Sequence, residues 1–434
     1  MKVVIIGAGF AGLQLARKLN NHAGFEVTLV DKFNYHQFQP LFYQVATSAL
    51  DASNISFPLR KAFHGSKNVR IRLGKVEQID IHENKVYVDT CDSCEIEYDV
   101  LVIASGADTN FFGNTQMIEN AFPMKSTTEA LQIRHRLLQN FEDALIVTNE
   151  KELKKLLSIV IVGGGPTGVE LAGSIAEMKR YVLPKDYPDL DFSKMKIFLL
   201  EGGPKTLGAM SEKSAEQSQQ YLEQLGVTVL VNTIVKEYDG GNVLLNNGET
   251  IASSMVIWAA GVKGNVPEGI SEELIARGNR IRVDRYNTVL GLKNVYAIGD
   301  VAYMETPQYP KSHPQVAPVA MQQAKLLADN LKKIERKTSR QIKEFEYYDK
   351  GSMATVGRNL AVVDIPKPKL HFGGFFAWLI WMFLHLILIL GVKNRFFVFM
   401  NWVVNYVTYD QSLRLIFNQF NRPKRAVEIA RAKV

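Results

Sequence analysis

Short apolar runs alternate along most of the chain with stretches whose apolar residues have helical spacing. The first run, Val3 to Ile6, leads through a glycine-rich turn into a helical pattern that continues to Leu19. Similar runs end at Val30 and Ile103. Continuous β-branched runs are typical of buried parallel strands, and their alternation with helices predicts an α/β fold.

The turn after the first run has the spacing GxGxxG, with Gly7, Gly9 and Gly12. Gly7 supplies the tight turn, Gly9 lets backbone N–H groups approach a pyrophosphate, and Gly12 lets the helix lie close to the strand. The next strand ends in Asp31, about 20 residues on, where a carboxylate binds ribose hydroxyls. A glycine-rich turn without a ligand is the alternative, but strand, helix and acid in register favour a dinucleotide site.

A second copy of this pattern begins at the apolar run that ends at Val162 and continues through Gly163, Gly165 and Gly168 into a helix. Its second strand ends in Glu201. An acid at that position accepts a hydrogen bond from a ribose 2′-hydroxyl and repels a 2′-phosphate, which favours NADH over NADPH. The sequence therefore predicts two dinucleotide-binding (Rossmann-like) domains.

Each glycine loop has a matching later strand end, at Gly106 and at Gly261, and a further strand ends in Gly299-Asp300. This order resembles the flavoprotein reductases with two dinucleotide folds. The resemblance implies that a nicotinamide domain is inserted between two halves of an FAD domain. It also implies that Asp300 bonds the ribityl and phosphate groups of the flavin.

The composition is that of a globular chain: 434 residues, 47% of them apolar and 22% charged, with a net charge of +7. The length predicts two or three domains. Basic residues are spread evenly until the C-terminal end, where they accompany dense aromatics. That position favours an anionic membrane surface over nucleic acid as the partner. A cleavable targeting segment is not expected, because the first strand begins at residue 2.

The only two cysteines, Cys91 and Cys94, lie in a polar stretch between two strand-like segments. A redox or metal-binding CxxC would want a helix N-terminus or a second ligand pair, so these thiols are interpreted as incidental. Disulfide and sulfide reductases of this fold need cysteines near the flavin. Electrons are therefore expected to leave the flavin directly, for a quinone or a small redox protein.

Two apolar segments, Phe372 to Val392 and Phe396 to Tyr409, lie near the C-terminus and have basic flanks. The first is long enough to span a bilayer. We favour two helices lying in the membrane interface, because tryptophans are spread through both segments and His385 would be an unpaired polar group at mid-bilayer. A buried dimer face would explain the apolar residues but not the tryptophans and basic flanks. The tryptophans are Trp378, Trp381 and Trp402.

Over essentially its whole length the chain resembles the type II, non-proton-pumping NADH:quinone oxidoreductases. Besides the two glycine loops and Gly299-Asp300, the resemblance rests on Tyr35 to Gln44, Ala317 to Gln323, Asp349 to Thr355 and the aromatic C-terminus. It implies non-covalent FAD, NADH as the donor and a membrane quinone (menaquinone or ubiquinone) as the acceptor. It further implies a homodimer, peripheral on the cytoplasmic face of the cell membrane.

The resemblance also assigns site residues by position. FAD would be held by Gly7, Gly9, Gly12, Asp31, Lys32, Val76, Asp300 and Ala320. NADH would be held by Gly163, Gly165, Gly168, Glu201 and Gly261. Glu170 and Lys350 would act in catalysis, and the quinone would contact Pro318, Gln322, Lys350 and Met353. Pro318 stands where the family has a glutamine, so one hydrogen-bond donor to the quinone is missing.

The predicted domains are an FAD-binding first half (1–115), an NADH-binding domain (116–290), an FAD-binding second half on the quinone side (291–365) and membrane-anchoring helices (366–434). One alternative stays open from the residues alone. A ferredoxin-type or rubredoxin-type reductase, docked at the membrane, would use the same two nucleotide folds.

Overall fold

The structure is a computed structural model that describes residues 1–89, 94–338 and 341–417. Cys91 and the basic residues from Arg422 onward lie outside the described residues. The α-helices are α1 (Phe10–Leu19), α2 (Phe42–Ala46), α3 (Leu59–Ala62), α4 (Thr115–Asn120), α5 (Thr127–Ile146), α6 (Glu150–Leu156), α7 (Pro166–Glu177), α8 (Leu183–Asp186), α9 (Glu212–Gln224), α10 (Ala317–Glu335), α11 (Phe375–Leu388) and α12 (Val392–Thr408).

The strands form several sheets, two of which are parallel and five-stranded. The strands are β1 (Lys2–Ile6), β2 (Glu26–Asp31), β3 (Tyr35–Gln37), β4 (Ser56–Pro58), β5 (Val69–Leu73), β6 (Lys75–Asp80), β7 (Lys85–Asp89), β8 (Cys94–Glu97), β9 (Val100–Ile103), β10 (Ala107–Thr109), β11 (Phe122–Pro123), β12 (Ser158–Val162), β13 (Lys196–Leu200), β14 (Thr228–Leu230), β15 (Val235–Tyr238), β16 (Asn242–Leu245), β17 (Thr250–Ala252), β18 (Met255–Trp258), β19 (Val262–Gly264), β20 (Ile275–Ala276), β21 (Arg280–Val283), β22 (Val295–Ala297), β23 (Ala302–Met304), β24 (Ser352–Gly357), β25 (Leu360–Ile365) and β26 (Leu370–Gly373).

The first parallel sheet has the strand order β22-β9-β1-β2-β5, so its strands come from the N-terminal part of the chain and from β22, near residue 296. Neighbouring β1 residues Ile5 and Ile6 are both buried, and they belong to different apolar clusters on the two faces of the sheet. Burial on both faces explains why β1 is an unbroken apolar run rather than an alternating one. Helices α1 and α10 pack together on one of these faces.

The second parallel sheet has the order β11-β18-β12-β13-β14. Four of its strands come from residues 122–230, and β18 follows later in the chain. Helix α7 follows β12 directly, as α1 follows β1. In both units a glycine lets the helix approach the strand: an added Cβ would lie 1.8 Å from the Gly7 oxygen at Gly12, and 1.9 Å from the Gly163 oxygen at Gly168. Both predicted strand-turn-helix units are therefore present.

The stretch between β18 and β22 forms small sheets that pack beside the first sheet. Strand β19 pairs with β10, and β21 pairs with β23. Ile281 and Val289 are buried in the same cluster as Ile6 of β1. Residues between β18 and residue 290, which we assigned to the NADH-binding domain, thus pack with the FAD-side sheet.

The C-terminal segments differ in detail from the prediction. The first apolar segment begins as an edge strand, β26, and becomes helical only at Phe375, after Gly374 with φ of +75°. Trp381 and Trp402 were predicted to lie at the lipid surface, and this is wrong: they are 1% and 7% exposed and pack into the protein core. Within the described residues, none of the helices combines the length and the apolar character needed to cross a membrane.

Helix α7 and strand β24 are in backbone contact at Gly173, where an added Cβ would lie 1.5 Å from the Val356 carbonyl oxygen. Backbone atoms cannot move aside as a flexible side chain can. We expect Gly173→Ala to separate α7 from β24 and to cost about 3 kcal/mol or more of stability. Thermal unfolding and the yield of flavin-bound protein measure the loss.

Gly208→Ala is the matched control, because nothing lies within 4 Å of an added Cβ at Gly208. It should leave both measurements unchanged. Equal unfolding temperatures for the two variants would contradict the backbone contact.

Candidate functional site

A large cavity of about 1710 Å³ runs from the carboxyl ends of the first sheet to helix α11. It brings together most of the residues that the sequence singled out for the flavin and the quinone. They are Gly7, Gly9, Asp31, Lys32, Val76, Glu170, Asp300, Pro318, Ala320, Gln322, Lys350 and Met353. Gly12 lies behind this wall, where it serves the packing of α1 on β1. The second glycine loop itself is not part of the cavity lining.

The first glycine loop is tied to Asp31. The backbone N–H of Ala8 donates to Asp31 Oδ2 at 2.6 Å, and that of Phe33 donates to Oδ1 at 2.7 Å. Burial raises the pKa of Asp31, while these two donors lower it. At Gly9, at the N-terminus of α1, nothing lies within 4 Å of where a Cβ would be, so the backbone there is open to a ligand. This open cradle fits the pyrophosphate of a dinucleotide.

Asp300 lies on the opposite wall, with two cations near it. Burial raises the pKa of Asp300, and the positive charges of Lys125 and Arg280 lower it. The turn that carries it is fixed because the buried Gly299 N–H donates to Gln323 Oε1 at 2.7 Å. A dinucleotide bound between Asp31 and Asp300 would meet both acidic and basic groups.

Lys125 is a cavity residue that sequence reasoning missed. It precedes a helix cap: Ser126 Oγ accepts from the Glu129 N–H at 3.2 Å, and the Glu129 carboxylate accepts from the Lys125 N–H at 2.6 Å. The S-x-x-E capping box can be read from the sequence and marks the start of α5. It does not show that α5 starts at the large cavity, so the sequence gives no sign that Lys125 lies there.

The second glycine loop has its own acid. Glu201 Oε2 accepts from the Gly164 N–H at 2.6 Å, and Oε1 accepts from the Gly203 N–H at 2.7 Å. Gly165 has nothing within 4 Å of an added Cβ, so this loop is also open. Gly261, with φ of +70°, lies against Phe112. The NADH candidates thus form a second cradle, and Pro166 and Thr167 at the start of α7 connect it to the large cavity.

Glu170 lies one turn into α7 and is 8% exposed. It lines both the large cavity and a smaller one of about 130 Å³ beneath α12. Burial raises its pKa to about 8, although hydrogen bonding from the Thr355 backbone and the Trp381 indole lowers it. Burial is the larger effect, and Trp381 Nε1 has no partner within strict hydrogen-bond geometry among the described residues. At neutral pH Glu170 is therefore mainly a protonated acid.

The quinone-side candidates lie at the start of α10 and in the segment before β24. Pro318 occupies the first turn of α10, where a missing N–H costs no helical hydrogen bond. Gln322 Nε2 donates to the backbone carbonyl oxygen of Tyr348 at 2.9 Å, and its Oε1 accepts from the backbone N–H of Tyr348 at 3.0 Å. Gln322 thus holds the chain two residues before Lys350, and one amide hydrogen is left for a ligand.

Aromatic residues form much of the remaining wall. His36 is a packing residue: it is buried, and its Nδ1 lies 2.9 Å from the backbone oxygen of Ala8. Behind Tyr43, Gln44 donates to the Tyr43 hydroxyl at 2.8 Å and accepts from the Trp402 indole at 2.7 Å. Helix α12 is therefore held against α2 by the buried hydrogen bonds of Gln44.

Comparison with known proteins identifies the family. A model described as pyridine nucleotide-disulphide oxidoreductase matches residues 1–324, and one described as NDH2 C-terminal domain matches residues 349–408. The type II NADH:quinone oxidoreductase Ndh of Mycobacterium tuberculosis is 34% identical over 428 residues, which is 96% of this chain and 90% of that protein. The chain belongs to the type II NADH:quinone oxidoreductases.

A further relative supports this assignment, and solved structures share the fold. The type II NADH:quinone oxidoreductase of Haemophilus influenzae is 30% identical, over 83% of this chain and 86% of that protein. The structure of NDH2 from Plasmodium falciparum in complex with NADH has the same fold, with a TM-score of 0.88 at 22% identity, covering 96% of this chain and 99% of that one. A ferredoxin reductase from Rhodopseudomonas palustris gives a lower TM-score, 0.65, over 84% of this chain and 82% of that one.

The pKa of Glu170 generates a prediction for this type II oxidoreductase. The pKa of Glu170 is about 8 in the folded protein, against 4.5 for an ordinary glutamate. As pH rises between these two values, the unfolded chain releases the proton while the folded protein keeps it, so the free energy of unfolding falls. The wild type should lose on the order of 3 kcal/mol of unfolding free energy between about pH 5.5 and about pH 8, and Glu170→Gln should remove this loss. Chemical unfolding at several pH values measures it.

The exposed Glu216→Gln on α9 serves as the control and should keep the wild-type pH dependence. The infrared carbonyl band of a protonated carboxyl group should be present at neutral pH in the wild type and absent in Glu170→Gln. A wild-type spectrum without that band would show that Glu170 is ionised, contrary to the prediction.

Proposed function

We propose that the chain catalyses electron transfer from NADH to a membrane quinone, without proton pumping, and that FAD is held non-covalently in the large cavity. The observation that carries the proposal is the continuity of this cavity. The open glycine loop at the start of α1 lines one end, and the apolar helix α11 lines the other. When bound, FAD accepts a hydride from NADH and delivers two electrons to the quinone.

The first glycine loop and the N-terminus of α1 would hold the FAD phosphates, because their open backbone N–H groups favour an anion. Asp31 would accept hydrogen bonds from the adenosine ribose. Lys32, Val76 and Ala320 line the same cavity and would contact the rest of the cofactor. Asp300 would accept a hydrogen bond near the ribityl chain, and the positive charge of Lys125 would stabilise its ionised form.

NADH would bind at the second glycine loop, in a domain inserted into the FAD domain. Sheet membership favours an end for this inserted domain near Trp258, the last residue of β18, rather than at residue 290. Each Glu201 oxygen accepts one backbone N–H and keeps a free lone pair for a ribose hydroxyl. Its negative charge would repel the extra phosphate of NADPH.

Reduction of a quinone to its quinol adds two electrons and two protons; the NADH hydride brings both electrons and one proton, and the protein must supply the other. Glu170 is the buried acid that lines the cavity in protonated form. It would donate a proton to a quinone oxygen and regain one through the smaller cavity. Lys350 would stabilise negative charge on the reduced ring or on the quinol oxygen. Met353 and Pro318 would contact the quinone ring, and Gln322 would position the Lys350 segment.

The quinone would enter from the bilayer along α11. This helix and α12 expose many large apolar side chains, among them Phe376, Phe383, Val392 and Val407. Lys393 and Arg395 in the first turn of α12 suit an anionic lipid surface. A ferredoxin or rubredoxin as acceptor is less favoured, because a polar protein partner would gain little from this apolar surface. The homodimer and the cytoplasmic face remain predictions.

The donor specificity is tested by stopped-flow reduction of the bound flavin with NADH and NADPH, followed by reoxidation with menaquinone or ubiquinone. We expect fast reduction by NADH in the wild type. Glu201→Gln should lower the NADH over NADPH preference by about tenfold or more, because a charge-assisted hydrogen bond and the repulsion of phosphate are both lost.

Glu216→Gln on α9 is again the control and should leave the preference unchanged. A wild-type flavin reduced faster by NADPH than by NADH would refute the role of Glu201. If neither menaquinone nor ubiquinone reoxidised the reduced flavin, the proposed function itself would be refuted.

Membrane binding is best tested by point substitutions, since truncation would remove the buried Trp381 and Trp402 and uncover the core residues that they cover. Phe376 and Val407 are each 73% exposed. We expect Phe376→Glu combined with Val407→Glu to reduce liposome binding about tenfold or more, because charges are costly in the interface. Oxidation of NADH with ferricyanide should be unchanged.

Ile146 and Ile234 are 80% and 56% exposed on other elements, so Ile146→Glu with Ile234→Glu is the matched control. Liposome flotation measures both double variants. If the control lost as much binding as the α11/α12 variant, the anchor would not lie in these helices.

A further inference from the structure

His385 on α11 is held in one tautomer by its own helix. Its Nδ1 lies 2.7 Å from the backbone oxygen of Trp381, four residues earlier. A carbonyl oxygen can only accept, so Nδ1 carries the proton of the neutral ring and Nε2 carries the lone pair. Burial supports the neutral form, since it lowers the pKa of His385 to about 4.

The orientation of the imidazole is also fixed. The ring stacks on the Trp381 indole with 3.9 Å between centroids and 22° between planes. Phe38 packs edge-on against it at 6.2 Å. Both neighbours are almost fully buried, so the ring has little freedom to turn. A side chain held this firmly presents a defined group to its surroundings.

The same residue lines the large cavity, together with the quinone-side candidates Lys350 and Met353 and the apolar Leu388 of its own helix. Its Nε2 accepts no hydrogen bond from any residue that the structure describes. The wall of the cavity that α11 forms therefore carries one oriented hydrogen-bond acceptor, with the apolar Leu384 and Leu388 of the same helix beside it.

Quinone and quinol differ in what they can offer such an acceptor. The carbonyl oxygens of a quinone only accept hydrogen bonds. After the ring has gained two electrons and two protons, both oxygens are hydroxyls and can donate. This distinction rests on the proposed function, which places the quinone in this cavity.

We propose that His385 is a quinol-specific contact: its Nε2 accepts a hydrogen bond from a hydroxyl of the reduced quinone and offers no donor to the oxidised form. The contact stabilises the bound product relative to the bound substrate. Trp381 keeps this acceptor in place, because its indole ring stacks on the imidazole of His385.

The test is His385→Phe, which keeps an aromatic ring on Trp381 and removes the acceptor. Dissociation constants of a short-chain quinone and of its quinol are measured by anaerobic calorimetry on the oxidised, FAD-containing enzyme. We expect the constant for the quinol to rise about fivefold and that for the quinone to stay unchanged, as for the loss of one neutral hydrogen bond.

Leu388→Ala is the matched control, because it alters the same wall of the cavity without changing any polar group. It should weaken quinone and quinol binding equally. An equal change for both ligands in His385→Phe, or no change for either, would overturn the proposal and leave His385 a packing residue.

A second measurement needs no variant, in case His385→Phe loses its flavin or unfolds. The mono-O-methyl and di-O-methyl ethers of the quinol have one and no hydroxyl donors, respectively. The wild type should bind the di-ether about fivefold more weakly than the mono-ether. Equal binding of the two ethers would overturn the proposal. A wild type that binds neither quinone nor quinol would instead refute the proposed function.

Discussion

Helix α7 is in backbone contact with its neighbours on two sides. Gly168 allows it to touch the turn after β12, and Gly173 allows it to touch the Val356 carbonyl of β24. No side chain fits at either contact. The helix of the second nucleotide unit is therefore pressed directly against the C-terminal sheet, and Glu170 is enclosed between them. Its raised pKa is a consequence of this packing, because the layers exclude the water that would solvate the ionised form.

The two glycine loops solve the same problem with different residues. In each, a carboxylate from the second strand accepts an N–H from the middle residue of the loop, at 2.6 Å in both cases. The middle residue is Ala8 where the acid is the shorter Asp31. It is Gly164 where the acid is the longer Glu201, and an added Cβ there would lie 2.9 Å from the glutamate side chain. The size of the acid thus decides which residue the loop can carry.

Charge is distributed along the large cavity in a way that suits a charged cofactor at one end and a neutral substrate at the other. Asp31, Asp300 and Lys125 surround the end where a pyrophosphate would lie. Near α11 the titratable groups Glu170 and His385 are both neutral at pH 7, because burial disfavours their charged forms. A quinone ring needs hydrogen-bond partners without net charge, and this end of the cavity supplies them.

The sequence alone determined both strand-turn-helix units and their acids, because those features depend on local glycine geometry and on apolar runs of strand length. The return of the chain to the first sheet at β22 was implied by the family resemblance. Tertiary structure decided the rest. Lys125 and His385 carry no local signal for the cavity, since their roles depend on elements distant in the chain. The tryptophans of α11 and α12 look like lipid anchors in the sequence, yet Trp381 and Trp402 are buried, because hydropathy records that a face is apolar and not whether lipid or protein covers it.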